Sequence, residues 1–100
     1  MKSAQIINNE KRFKVIKMDV IHMLAVFPGT LCICDHCNEH TVIGYYICVL
    51  NMIYCPDCFN IFIQRATNYV EDHEYERGRF NIIMENLNRN NISVQVVDHE

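Results

Sequence analysis

Four cysteines constrain this chain more than any other feature. They stand as Cys34-x2-Cys37 and Cys55-x2-Cys58, with seventeen residues between the pairs. A two-residue spacer makes a tight turn that aims both sulfurs at one point, and two such pairs are a metal-site signature. Together they supply a closed tetrahedral S4 set, the ligand shell of a structural zinc ion. The neighbouring residues agree. Asn38 tolerates the left-handed backbone that a chain needs after such a knuckle. Cys55-Pro56-Asp57-Cys58 reads as a helix start, where Pro suits the first position and the dipole favours both Asp57 and a thiolate. The expectation is one structural Zn2+ per chain, held by Cys34, Cys37, Cys55 and Cys58.

Other residues compete for the same role. Cys32 can replace Cys34, but only through a less usual x4 knuckle with Cys37. His36 and His40 flank the knuckle as substitute ligands; the plainer reading is loop histidines beside the site. Cys48, in an apolar stretch, reads as a buried small hydrophobe, and His22 as a structural histidine within a strand. A disulfide framework is disfavoured, because MKSAQIINNEKRF has no apolar core to act as a secretory signal and cytosolic thiols stay reduced. The apolar stretches around 20–27 and 42–50 fall short of the roughly 20 residues of a membrane span. A cytoplasmic protein with no membrane segment is expected.

One hundred residues, half of them hydrophobic with three Gly and two Pro, fit a single globular domain over 1–100. Residues 1–12 are polar and expected to be flexible. Residues 13–19 alternate and predict a strand; 20–27 are more continuously apolar and predict a second, buried strand. Pro28-Gly29-Thr30 is a turn. Residues 41–54 predict a hairpin broken at Leu50-Asn51. A helix follows, with Phe59, Phe62, Ile63, Ala66, Tyr69 and Val70 on one face. A second helix over about 72–88 carries Phe80, Ile83, Met84 and Leu87 as its stripe and a Glu85–Arg89 pair near its end. After a turn at Asn90-Asn91, Ile92, Val94 and Val96 alternate as a last strand.

Knuckle, short hairpin and a helix whose first turn carries the last two ligands resemble the treble-clef or LIM-like zinc fold group, over residues 33–69. The resemblance implies fold and metal, and little about activity. The fold class expected is α+β: a treble-clef-like zinc centre, a small antiparallel sheet including the terminal strands, and a second, C-terminal helix.

Charge narrows the function. Net charge is −3, with residues 1–20 at +3 and residues 71–100 at −4. Four zinc-bound thiolates would lower the total to about −5. Such a chain has no general affinity for phosphate backbones. Direct nucleic-acid binding is therefore disfavoured, and would have to use a short basic strip of Lys11, Arg12, Lys14 and Lys17. Enzymatic readings also fail on residues. Cys55-Pro56-Asp57-Cys58 resembles a thioredoxin-like redox motif, but no proline follows Pro56 to supply that fold's later cis-proline. A His-Asn-His nuclease needs a histidine between its zinc pairs, and residues 41–54 hold none. A zinc deaminase needs H-x-E before P-C-x-x-C, and neither is present. The Glu71-Asp72-His73-Glu74 cluster is explained by a helix start. No catalytic residue and no organic cofactor site is expected.

What remains is surface for a partner: Ile61 and Ile82 lie off their helices' apolar faces, some of Tyr45, Tyr46 and Tyr54 face outward, and the acidic C-terminal third offers Glu71, Asp72, Glu74 and Glu76 as outward acids. The expected function is a non-enzymatic protein-binding module acting as adaptor or inhibitor. An inhibitor of a nucleic-acid-processing enzyme, of the phage anti-defence (anti-CRISPR-like) kind, fits the size and charge. The alternatives are a nucleic-acid-binding regulator and a structural subunit of a larger assembly. The sequence leaves partner identity and oligomeric state open.

Overall fold

A computed structural model describes residues 3–99. Its backbone is one five-stranded sheet in the order β4-β3-β2-β1-β5. In chain order the elements are β1 (Ala4–Asn8), β2 (Val15–Asp19), α1 (Val20–Val26), β3 (Ile43–Ile47), β4 (Met52–Tyr54), α2 (Pro56–Arg65), a 3-10 turn (Val70–Asp72), α3 (His73–Arg89) and β5 (Val94–Asp98). The fold is α+β, as expected. β1–β2, β2–β3 and β3–β4 pair antiparallel, whereas β5 lies parallel to β1. That last pairing makes the sheet mixed.

Strand alternation sends side chains to two faces. Ile16, Met18, Tyr46 and Ile53 face one side, where Met23 and Val26 of α1 and Ile83 and Leu87 of α3 cover them. Val15, Ile47 and Tyr54 face the other, packed with Phe59 of α2, Cys34 and Cys58. Tyr45 stacks flat on Phe59, with ring centroids 4.3 Å apart. The sheet is thus the middle layer of three, with the cysteines in the α2 layer.

Four expectations about local structure are corrected. Residues 20–26 form a helix in place of the buried strand expected over 20–27, because the Asp19 carboxylate caps the turn by accepting the His22 N–H at 2.9 Å. Its pattern resembles a buried strand because the outer face of the helix is apolar too: Ile21 is 75% exposed. His22 is buried, on that helix. Residues 1–12, expected to be flexible, contain β1, which is gripped by strands on both sides; Met1 and Lys2 lie outside the described residues. The loop after β1 is closed by Asn9, whose amide donates to the carbonyls of Ile7 and Phe13 while its oxygen accepts the Phe13 N–H.

The helix after the cysteines stops at Arg65 and does not reach Tyr69 and Val70, which are exposed. Lys11 Nζ donates to the Ala66 carbonyl at 2.7 Å, and Asn68 Nδ2 donates to the Lys11 carbonyl at 2.7 Å. A lysine there satisfies one of the carbonyls that a helix end leaves without a partner. Finally, Glu76 is not an outward acid. It is 3% exposed, and its Oε2 accepts the Lys14 N–H at 3.0 Å.

Candidate metal centre

The knuckle forms where the spacing places it. The Asn38 N–H donates to the Cys34 carbonyl at 2.9 Å and the Cys34 N–H to the Glu39 carbonyl at 2.8 Å. Asn38 itself is left-handed, with φ 64°. Asp35 ties the turn to the hairpin: its N–H donates to the Ile53 carbonyl and its Oδ2 accepts the Ile53 N–H, both at 2.8 Å. The second cysteine pair enters α2, with Cys55 at the N-cap, Pro56 first in the helix and Asp57 in the first turn.

These two turns bring the sulfurs of Cys34, Cys37, Cys55 and Cys58 within 4.8 Å of one another. Cys37 Sγ and Cys55 Sγ lie 3.9 Å apart. A zinc tetrathiolate with Zn–S of about 2.3 Å has its sulfurs about 3.8 Å apart, so the cluster fits the ion with little contraction. The separation is also far beyond a disulfide bond, and all six cysteines are free thiols. Cys34 and Cys58 are buried, while Cys37 is exposed and Cys55 half-buried.

The electrostatics suit a site that takes up metal and gives up protons. Burial pushes the Cys34 thiol up, but the backbone N–H groups of Cys37, Cys55 and His36 outweigh it and bring the thiol down to about 7. At Cys37 the backbone of Glu39 pulls down, yet burial and the sulfurs of Cys34 and Cys55 leave the thiol raised. Burial pushes Cys58 up strongly, and the other three sulfurs add to that. A bound cation would neutralise this clustered charge. The donor set therefore fits one structural zinc ion, whose chemistry here is to cross-link the knuckle to α2.

The other sulfurs and histidines fall elsewhere. Cys32 has φ 55°, and its side chain lies in the core on the opposite face of the sheet, as does that of Cys48. Burial and the charge of Glu76 hold the Cys48 thiol at about 12, so it stays protonated. His36 lies against Tyr54, ring centroids 5.3 Å apart, and His40 is exposed and bridges Ile33. Neither joins the four sulfurs.

Two of the surface concavities bear on function. A groove of about 270 Å³ runs beside the metal centre, lined by His36, Tyr54, Ile61, Phe62, Arg65 and Ala66 together with Cys58. A larger cavity of about 510 Å³, away from the cysteines, gathers Lys11, Arg12, Lys14 and Arg77 around Glu76. Sequence reasoning missed Arg77 there, because it arrives from α3. It also overstated the basic strip. Lys14 reaches over Phe80 of α3 (4.8 Å to the ring), whereas Lys17 reaches over Tyr45 on the opposite face (5.6 Å).

Fold and site together define a zinc-stabilised α+β module with a treble-clef-like centre. Compared with known protein families, with curated proteins and with solved structures, the chain matches none. Among the described residues no helix is long and apolar enough to cross a membrane.

Proposed function

We propose that this chain is a non-enzymatic protein-binding module of the cytoplasm, an adaptor or inhibitor whose binding surface is organised by its zinc centre. The observation that carries this reading is the groove beside the cysteines. Its floor is Tyr54, Phe62 and Ala66, its rim is the 45% exposed Ile61, and Arg65 and His36 are its polar groups. An apolar floor with a few polar groups at the rim is how protein interfaces are built. Four sulfurs around one ion leave no position for a reacting water, which supports a structural metal. The finer form, an inhibitor of a nucleic-acid-processing enzyme, draws support from Glu71, Asp72 and Glu74. All three are exposed, Glu71 and Asp72 in the 3-10 turn and Glu74 in the first turn of α3, where they can oppose a basic cleft.

The second reading, a nucleic-acid-binding regulator, is favoured by the cavity around Lys11, Arg12, Lys14 and Arg77. Those four cations stand on a chain of net charge −3. Their contribution to a log–log salt slope is at most about −4 on duplex DNA.

The test is affinity purification of the tagged chain from its native cells, with and without nuclease, beside an Ile61→Asp variant. A protein retained after nuclease and lost with Ile61→Asp supports the proposal. Submicromolar nucleic-acid binding by fluorescence anisotropy at physiological salt, abolished by Lys14→Glu, replaces it with the second reading.

A further inference from the structure

The two edges of the sheet are finished differently. At the β4 edge the outward backbone groups are those of Ile53, and Asp35 occupies both, its N–H on the carbonyl and its Oδ2 on the N–H. That edge is closed to another strand. At the other edge β5 runs five residues beside β1. The Ala4 N–H donates to the Ser93 carbonyl at 3.0 Å and the His99 N–H to the Asn8 carbonyl at 2.8 Å. Because backbone groups alternate sides along a strand, the odd-numbered residues of this segment turn theirs to β1. Val94, Val96 and Asp98 turn theirs outward, and no described residue pairs with them. Most of the usual protections of an edge are missing: β5 has no Pro, Gly or Lys, its single charge is Asp98 at the end, its register runs without a bulge, and Val96 is 61% exposed.

We propose that β5 is a self-pairing edge, through which two copies of this chain join antiparallel about a twofold axis at Val96. The strand is complementary to itself in that register. Val96 sets its N–H and carbonyl against those of Val96 in the second copy, and Val94 against Asp98, so every outward group of both strands is satisfied. Among the side chains, valine meets valine at the centre, Gln95 stands opposite Val97 of the second copy on the other face, and Val94 stands opposite Asp98 at the two ends. The two Asp98 carboxylates end roughly 14 Å apart, four residues along a ladder of about 3.4 Å per residue. That exceeds the ~8 Å screening length. On an acidic chain, this edge carries one acid and carries it at the end, so two copies meet here with little repulsion. A single self-complementary patch closes at two subunits and does not propagate.

Sedimentation velocity over a concentration series tests this, using the zinc-loaded full chain. The expected result is a reversible monomer–dimer equilibrium in which Val96→Lys halves the limiting mass to that of one chain. Met52→Lys, at the closed edge, should leave the dimer intact. Zinc content and far-UV circular dichroism check that each variant is folded. Amide exchange gives a second readout: in the dimer the Val96 N–H is protected, and dilution or Val96→Lys exposes the neighbouring outward amides of Val94 and Asp98. A single-chain mass at every soluble concentration would overturn the proposal. So would a dimer that a folded Val96→Lys variant leaves unchanged.

Discussion

The two faces of the sheet are closed by different means. On the α1/α3 side, a seventeen-residue helix and a seven-residue helix cover the strands with Met23, Val26, Ile83 and Leu87, and packing holds the layer with help from the Glu76–Lys14 and Arg79–Tyr46 hydrogen bonds. On the other side a single ten-residue helix, α2, buries only Cys58 and Phe59 fully. The knuckle carrying Cys34 and Cys37 has almost no regular structure of its own. Where apolar area is short, a metal bond replaces it, which is how small domains commonly secure a weak layer. Stability of the two faces should therefore respond to different perturbations, one to ligand chemistry and the other to volume.

The largest contrast comes from Cys58→Ser. It should abolish stoichiometric zinc and unfold the chain, because a structural zinc site contributes about 10–16 kcal/mol against a typical stability of about 5–15 kcal/mol. Chelation of the wild-type protein should do the same, read by circular dichroism. Acid is the reversible version. Cys34, held at about 7 against an ordinary 9.0, contributes stability that is present above 9.0 and lost as pH falls through 7. Bound zinc shifts that loss to lower pH by keeping the thiolates ionised. Acidification should thus release zinc and free α2 before it disturbs α3, which can be followed by amide exchange. Cys48, protonated across this range, gives the other face no such sensitivity.

Volume changes should act in the opposite sense. Leu87→Ala, at a fully buried position of α3, should cost about 2–5 kcal/mol in denaturant unfolding while zinc content stays at one per chain. Gly44→Ala should cost about 1–3 kcal/mol. Its new methyl would meet Met23 Sδ at 2.5 Å and Ile53 Cγ2 at 2.6 Å, both on the metal-free face. Cys48→Ala should cost roughly 1 kcal/mol and leave the metal untouched. Zinc loss in any of these three folded variants would break the separation of the faces.

The same contrast governs what could be read from the sequence. The metal face was legible because its determinants are local: x2 spacing, Asn38 after the knuckle and Pro56 at the helix start each act within a few residues. The hairpin and most of α3 were legible for the same reason. The rest depends on distant partners. β1 is a strand because β2 and β5 hold it, and the parallel β1–β5 pairing joins segments from opposite ends of the chain. Apart from His22, residues 20–27 are apolar all round, a pattern that does not separate helix from buried strand without weighing Asp19 as a cap. Glu76 reads as a surface acid until the Lys14 backbone is placed against it. One point was within reach: Lys14 and Lys17 are three apart on a predicted strand, and period-two alternation alone sends them to opposite faces.

Cobalt substitution tests the central claim most directly. Metal-free protein titrated with Co2+ should take up one ion per chain, developing the strong visible bands of a tetrahedral tetrathiolate together with native circular dichroism, and one equivalent of Zn2+ should displace it. Cys58→Ser should lose both the spectrum and the fold. A metal-free chain that is already fully folded, or a folded Cys58→Ser variant that still binds one ion with the same spectrum, would contradict the account.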